Sequence, residues 1–220
     1  MSQSNLILGK FIKIWQNHFE PPEPKKSKDG KRNNISGKWS KHLTEWLNTH
    51  FGFVIYECHF PAWQANKTRL DAAVWLNKES PVGVMDIAIE WEWNNSSVRK
   101  SFSKGDLKKI LSAPAKAGIA IIQTRVDAKK GSTEKKEKLA NEIISDIRKT
   151  CKSHFENNKD AHPVGVIEVR RVSDDGNSVE FKCFYHDMMS GTQRELQSFN
   201  YSQKTKTGRG TSKSVDERTI

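Results

Sequence analysis

Three carboxylates can act together on one part of this chain. Asp71 lies in the strand-like run RLDAAVWL (69–76), and Glu90 and Glu92 lie in VGVMDIAIEWEW (82–93); the break NKESP separates the two runs. Residues two apart on a strand share a face. Asp86, Ala88, Glu90 and Glu92 therefore line one side, and Ile87, Ile89, Trp91 and Trp93 line the other, which reads as core. Folding the hairpin about the middle of its loop, between Ser80 and Pro81, sets Asp71 opposite Glu90. Directly opposed Cβ atoms sit about 5 Å apart. Glutamate is disfavoured in strands and like charges on one face repel, so a bound cation is the natural compensation. Mg²⁺ takes oxygen ligands at about 2.1 Å and keeps several waters. Asp71, Glu90, the backbone carbonyl of Trp91, waters and a phosphate oxygen would complete such a shell. Asp86 lies farther toward the loop and reads as structural.

The elements that must position these groups follow from hydrophobic period and turn residues. NLILGKFIKIWQNHF (5–19) and SGKWSKHLTEWLNTHFG (36–52) have helical spacing, the second with Trp39, Leu43, Trp46 and Leu47 on one face and Gly52 as a stop. FVIYECHF (53–60) reads as a strand ahead of the hairpin. SKGDLKKILSAPAKAG (103–118) predicts a helix from Ser103 until Pro114 interrupts it, and GIAIIQTRV (118–126) a buried strand. TEKKEKLANEIISDIRKTCKSHF (133–155) is an amphipathic helix with Thr133 as N-cap and a stripe of Leu139, Ile143, Ile144, Ile147 and Cys151. PVGVIEVRRV (163–172) and SVEFKCFYHD (178–187) predict a terminal hairpin. From the second helix onward the order is α-β-β-β-α-β-α-β-β. The expectation is an α/β fold in the α+β sense, a central mixed β-sheet flanked by helices. Residues 1–201 form one domain, with 20–36 a basic, Pro-rich loop or linker and 202–220 a flexible basic tail.

Charge is unevenly placed. The net charge is +11. Residues 22–38 hold six Lys/Arg against two acids and residues 204–220 five against two, whereas 71–94 carry five acids against Lys78 alone. An acidic island in a basic chain of pI about 9.5 suits an enzyme that holds a polyanion and a divalent metal together. No apolar run approaches the roughly 18 residues of a membrane span, and no secretory leader pattern is present. Cys58, Cys151 and Cys183 are odd in number and far apart, which points to free thiols in a reducing cytoplasm. The absence of GxxxxGK[ST] argues against a nucleotide cofactor, and the seven histidines show no HExxH.

With Leu70-Asp71 opening the second core strand and Glu90-Trp91-Glu92 ending the third, the chain over residues 37–125 resembles the PD-(D/E)xK nuclease superfamily. Its E-x-E variant, in IEWEWNN followed by GDLKKIL, is similar to that of a subset of small type II restriction endonucleases. The resemblance implies a restriction-endonuclease-like core and Mg²⁺-dependent, sequence-specific cleavage of double-stranded DNA by a homodimer in the cytoplasm of a prokaryote. It implies Asp71 and Glu90 as metal ligands, joined by the Trp91 carbonyl and by Glu45 from the preceding helix. Glu92 stands where the family usually has lysine. It would hold the attacking water or a second metal, or else Lys104 or Lys108 would supply the missing charge. Lys104, Lys108 and Arg125 are the candidate DNA contacts, with Arg170 and Arg171 also near strand ends. Two other readings stay open: a repair, recombination or transposition nuclease of the same fold, and a nuclease-like DNA-binding module that does not cut.

Overall fold

The computed structural model describes residues 3–22, 35–59, 69–76, 84–93, 102, 105–126, 133–174 and 178–202. Its strands are β1 (Phe53–His59), β2 (Arg69–Trp75), β3 (Met85–Glu92), β4 (Ala115–Arg125), β5 (Val164–Asp174), β6 (Ser178–Asp187) and β7 (Gln193–Ser202). Its helices are α1 (Gln3–His18), α2 (Ile35–His50), α3 (Asp106–Ser112) and α4 (Thr133–Asn157). All seven strands belong to one sheet in sequence order. The pairs β1–β2, β2–β3, β5–β6 and β6–β7 are antiparallel, and β3–β4 and β4–β5 are parallel. The fold is a mixed sheet flanked by helices, of the α+β class. A parallel neighbour needs a crossover, which α3 supplies between β3 and β4 and α4 between β4 and β5.

The two faces of the sheet are covered by different helices. One face carries Ala72, Val74, Ile87, Ile89, Ile119, Ile121, Ile167 and Val169, packed with α1 and α2. The helical spacing places Phe11 and Trp15 of α1 and Leu43, Trp46 and Leu47 of α2 in this core, with Trp15 stacked on Phe19 at 3.7 Å. On the other face Leu107, Ile110 and Leu111 of α3 and Ile143, Ile144, Ile147 and Cys151 of α4 cover Ala120, Ile122, Val164 and Val166. β4 is buried on both faces, which is why its sequence runs apolar without alternation.

Three expectations need correction. Among the described residues the helix before β4 spans only Asp106–Ser112, and β4 starts at Ala115, not Gly118. Pro114 is disfavoured inside a helix, and pairing of Ala115 with Met85 rewards the extended chain directly after it. α2 begins at Ile35, inside the segment expected as linker, and residues 23–34 lie outside the described residues, as do 203–220 of the tail. The terminal unit is a three-strand meander rather than a hairpin: β7 pairs with β6 from Ser202↔Ser178 to Gln193↔His186. QRELQSFNYS has little periodicity. It becomes a strand through the edge that β6 offers it. No described helix is long and apolar enough to cross a membrane.

Candidate active site

The hairpin register is the one that alternation requires. Ala72 pairs with Ile89, Ala73 with Ala88 and Val74 with Ile87, which carries Asp71 across from Glu90. The two side chains lock the strand ends where the backbone ladder stops. The amide of Trp91 donates to Asp71 Oδ2 at 2.8 Å, and the amide of Asp71 donates to Glu90 Oε1 at 3.2 Å. The other oxygen of Glu90 accepts from Lys109 Nζ of α3 at 2.8 Å. Lys109 also pairs with Asp106 Oδ1 at 2.8 Å and donates to the carbonyl of Arg69 at 3.2 Å. Its three donors are thus engaged on three elements.

Burial sets the electrostatics. Glu90 is 1% exposed. Removal from water, and then the charge of Asp71, push its carboxyl up to about 9, a rise that Lys109 opposes without cancelling. Burial also raises Asp71, against the pull of the Trp91 amide and Lys109. Burial alone would lower Lys109, but its bonds to Asp106 and Glu90 outweigh it and raise it, so the ammonium stays charged. Two crowded carboxyls that resist losing both protons welcome a cation, since it cancels the repulsion that raises them. In that respect the pair fits a divalent metal. No cluster of three or more His, Cys, Asp or Glu poised around one point exists among the described residues, so carbonyl or water oxygens would have to complete any shell.

The remaining candidates are distributed as follows. Glu92 is half-buried at the end of β3, level with Ile122 of β4 and on the face of Glu90. Trp91 presents its amide to Asp71 while its indole donates to Ser40 Oγ at 3.1 Å. Glu45 is not brought to the carboxylates: α2 packs on the opposite face, and Glu45 is an exposed partner of Lys41 at 3.7 Å. Lys104 lies outside the described residues. Lys108 is exposed, and its neighbour Lys109 is the lysine that reaches the acids. Arg125 is half-buried at the end of β4, beside Arg171 of β5. Asp86, read from the sequence as structural, holds Lys116 at 2.8 Å and the Leu76 amide at 2.7 Å.

Lys109 and Asp106 are the residues that sequence reasoning missed. Their signal was faint: an acid three residues before a lysine on a helix that follows the acidic strand. The spacing of Leu107, Ile110 and Leu111 does not by itself distinguish Lys108 from Lys109; how these residues pack on the sheet does, and it brings Lys109 to Glu90 and the Arg69 carbonyl.

A second polar cluster sits on the same face of the sheet. Glu168 of β5 accepts hydrogen bonds from Thr124 of β4, from Arg170 at 2.8 and 3.0 Å, and from His186 of β6 at 2.9 Å. Burial opposes the Glu168 charge, but these partners outweigh it and hold the carboxyl below its usual range. Arg170 also lies over the ring of Phe184 and reaches Asn141 of α4. The cluster ties β4, β5, β6 and α4 together. A groove of about 450 Å³ along Glu134, Glu137, Lys138, Asn141 and Glu142 of α4 does not include the carboxylates of β2 and β3.

Compared with known proteins, the chain matches no family model, no curated protein and no solved structure.

Proposed function

We propose that the chain is a Mg²⁺-dependent endonuclease of double-stranded DNA, of the type II restriction kind, working as a cytoplasmic homodimer in a prokaryote. The observation that carries this reading is the group Asp71–Glu90–Lys109: two acids from adjacent antiparallel strands and a lysine from the next helix, bonded into one half-buried unit. The element order α2-β1-β2-β3-α3-β4, antiparallel up to β3 and parallel after it, also supports the resemblance drawn from the sequence. When bound, the metal would polarise the scissile phosphate and lower the pKa of a water. Asp71 and Glu90 would hold it. Lys109 would supply the positive charge for which Lys104 or Lys108 was the alternative to a role of Glu92, and through that charge it would steady the phosphoryl oxygens. Glu92, one step nearer the strand end, can orient the attacking water.

The test is incubation of wild type, Asp71→Ala and Glu90→Ala with unmethylated phage DNA, in Mg²⁺ and in EDTA. Discrete fragments from wild type alone, and only with metal, are expected. Intact DNA in every lane, with DNA binding retained, would replace this reading with the non-cleaving module. That alternative has one observation in its favour: Asp71 and Glu90 already have internal partners in the Trp91 amide and Lys109.

A further inference from the structure

Lys109 already uses everything it can donate. Its ammonium carries three N–H groups. Three acceptors take them: Glu90 Oε2 at 2.8 Å, Asp106 Oδ1 at 2.8 Å and the carbonyl of Arg69 at 3.2 Å. A phosphate oxygen can therefore accept from Lys109 only after one of these three has been given up.

Glu90 is the acceptor that a metal would take away. Both of its oxygens are in use, since Oε1 accepts from the Asp71 amide at 3.2 Å while Oε2 accepts from Lys109. A divalent cation on Glu90 binds an oxygen at about 2.1 Å, which brings it within a few ångströms of Nζ. Glu90 is 1% exposed, and like charges that close repel strongly where water is excluded. The cation and the ammonium compete for one carboxylate.

Asp106 stands outside that competition. It lies on α3 three residues before Lys109, so their bond belongs to one helix and does not depend on β3. Its side chain is 30% exposed and keeps its contact with water. An ammonium that leaves Glu90 is thus still held by a charged acceptor, on the more open side of the site.

We propose that Lys109 is the resident counterion of Glu90, that a divalent metal at Asp71 and Glu90 displaces it, and that Asp106 is the positioning residue that retains the displaced ammonium with one N–H free for a phosphate oxygen. The metal and the phosphate rest on the nuclease reading; the exchange itself rests on the three contacts of one ammonium. Lys109 then serves the substrate only in the metal-loaded protein.

The experiment is acetylation of the whole chain by an N-hydroxysuccinimide ester, in EDTA and in Mg²⁺, read by mass spectrometry. Fragment ions separate Lys109 from Lys108, whose exposed side chain on the same helix is the internal reference. In EDTA, Lys109 is expected to react more slowly than Lys108. Mg²⁺ should raise the ratio of Lys109 to Lys108 labelling roughly tenfold, the weight of one charged hydrogen bond. In Glu90→Gln the ratio should start higher and not respond to Mg²⁺. In Asp106→Asn with Mg²⁺ it should rise about threefold further, the weight of a part-exposed ion pair, and Asp106→Glu should restore the wild-type value. A merely structural Asp106 would give no metal-dependent effect that the conservative variant reverses.

Calorimetric titration with Mg²⁺ separates the outcomes. Bound Mg²⁺ with an unchanged ratio overturns the exchange and leaves the metal site in place. No bound Mg²⁺ overturns both. Equal ratios in wild type and Asp106→Asn with Mg²⁺ overturn the role of Asp106. A metal-dependent ratio in a protein that leaves DNA uncut in Mg²⁺ keeps the exchange and removes the nuclease. Thermal melting checks folding, and should a variant fail to fold, wild type with and without Mg²⁺ decides the exchange.

Discussion

Lys109 Nζ lies 2.8 Å from Glu90 Oε2, although the two residues are nineteen apart in sequence and belong to different elements. The contact joins the crossover helix to the acidic strand at Glu90, the one carboxylate of β2 and β3 that is buried. It makes the positive group of the site a property of how α3 lies on the sheet.

Replacing Lys109 tests that contact. Lys109→Met should reduce the single-turnover cleavage rate by about a hundredfold, the size of effect expected when a group aimed at developing charge is removed. DNA affinity measured in EDTA should stay within a few-fold of wild type. A loss of affinity with an unchanged rate at saturating DNA would place Lys109 in binding instead.

Glu90 should make the metal-free protein less stable as the medium becomes alkaline. Its carboxyl is raised to about 9 in the fold by burial and by Asp71, whereas the unfolded chain titrates near the ordinary value of about 4.3. The protonated form is the one the fold prefers. The stability contribution is therefore complete below the unfolded value and is lost progressively as pH rises toward the folded one. Glu90→Gln removes this dependence and should raise stability at pH 8 by on the order of 2 kcal/mol in EDTA. Melting curves from pH 5 to 9 would show a flatter profile for the variant; parallel profiles would mean that Glu90 is ionised throughout. Added Mg²⁺ should raise the wild-type melting temperature at pH 8 and leave Glu90→Gln nearly unmoved.

Arg170→Met leaves Glu168 buried, with Thr124 and His186 as its remaining partners. Removing one member of a buried ion pair costs about 3–5 kcal/mol, or a fall of roughly 10 °C in melting temperature for a chain of this size. Replacing both members, Glu168→Leu with Arg170→Met, should recover part of the loss. Denaturant unfolding of the three variants measures it; a double variant as unstable as the single one would show that the pair contributes more than charge compensation.

Gly118→Ala should act at a distance. A Cβ there would overlap Ile110 Cγ2 and press on Val164 Cγ2 at 3.2 Å and His162 Nε2 at 3.3 Å, so the Ile110 side chain, or α3 with it, must shift. Overpacking of this kind costs about 1–3 kcal/mol, and a displaced helix would carry Lys109 with it. The expected result is a lower melting temperature together with slower cleavage. Unchanged cleavage in a destabilised variant would show that the lysine contact tolerates movement of its helix.

The hairpin and its register were legible in the sequence, because both depend on neighbouring residues. Strand side chains alternate with a period of two, and the short break at NKESP leaves one pairing that buries Ile87 and Ile89 while opposing Asp71 and Glu90. The apolar stripes of α1, α2 and α4 were legible for the same reason, since a helical period is written in spacing alone. Other features were not local. Glu45 has the right chemistry on a helix that covers the wrong face, and β7 is a strand because β6 offers it an edge. Lys108 and Lys109 are adjacent and equally basic, and only the packing of Leu107, Ile110 and Leu111 against the sheet turns the second of them toward Glu90. The sequence by itself determined which carboxylates oppose one another. Tertiary packing decided which cation meets them, because the direction of a helical side chain depends on how the helix is rotated over its neighbours.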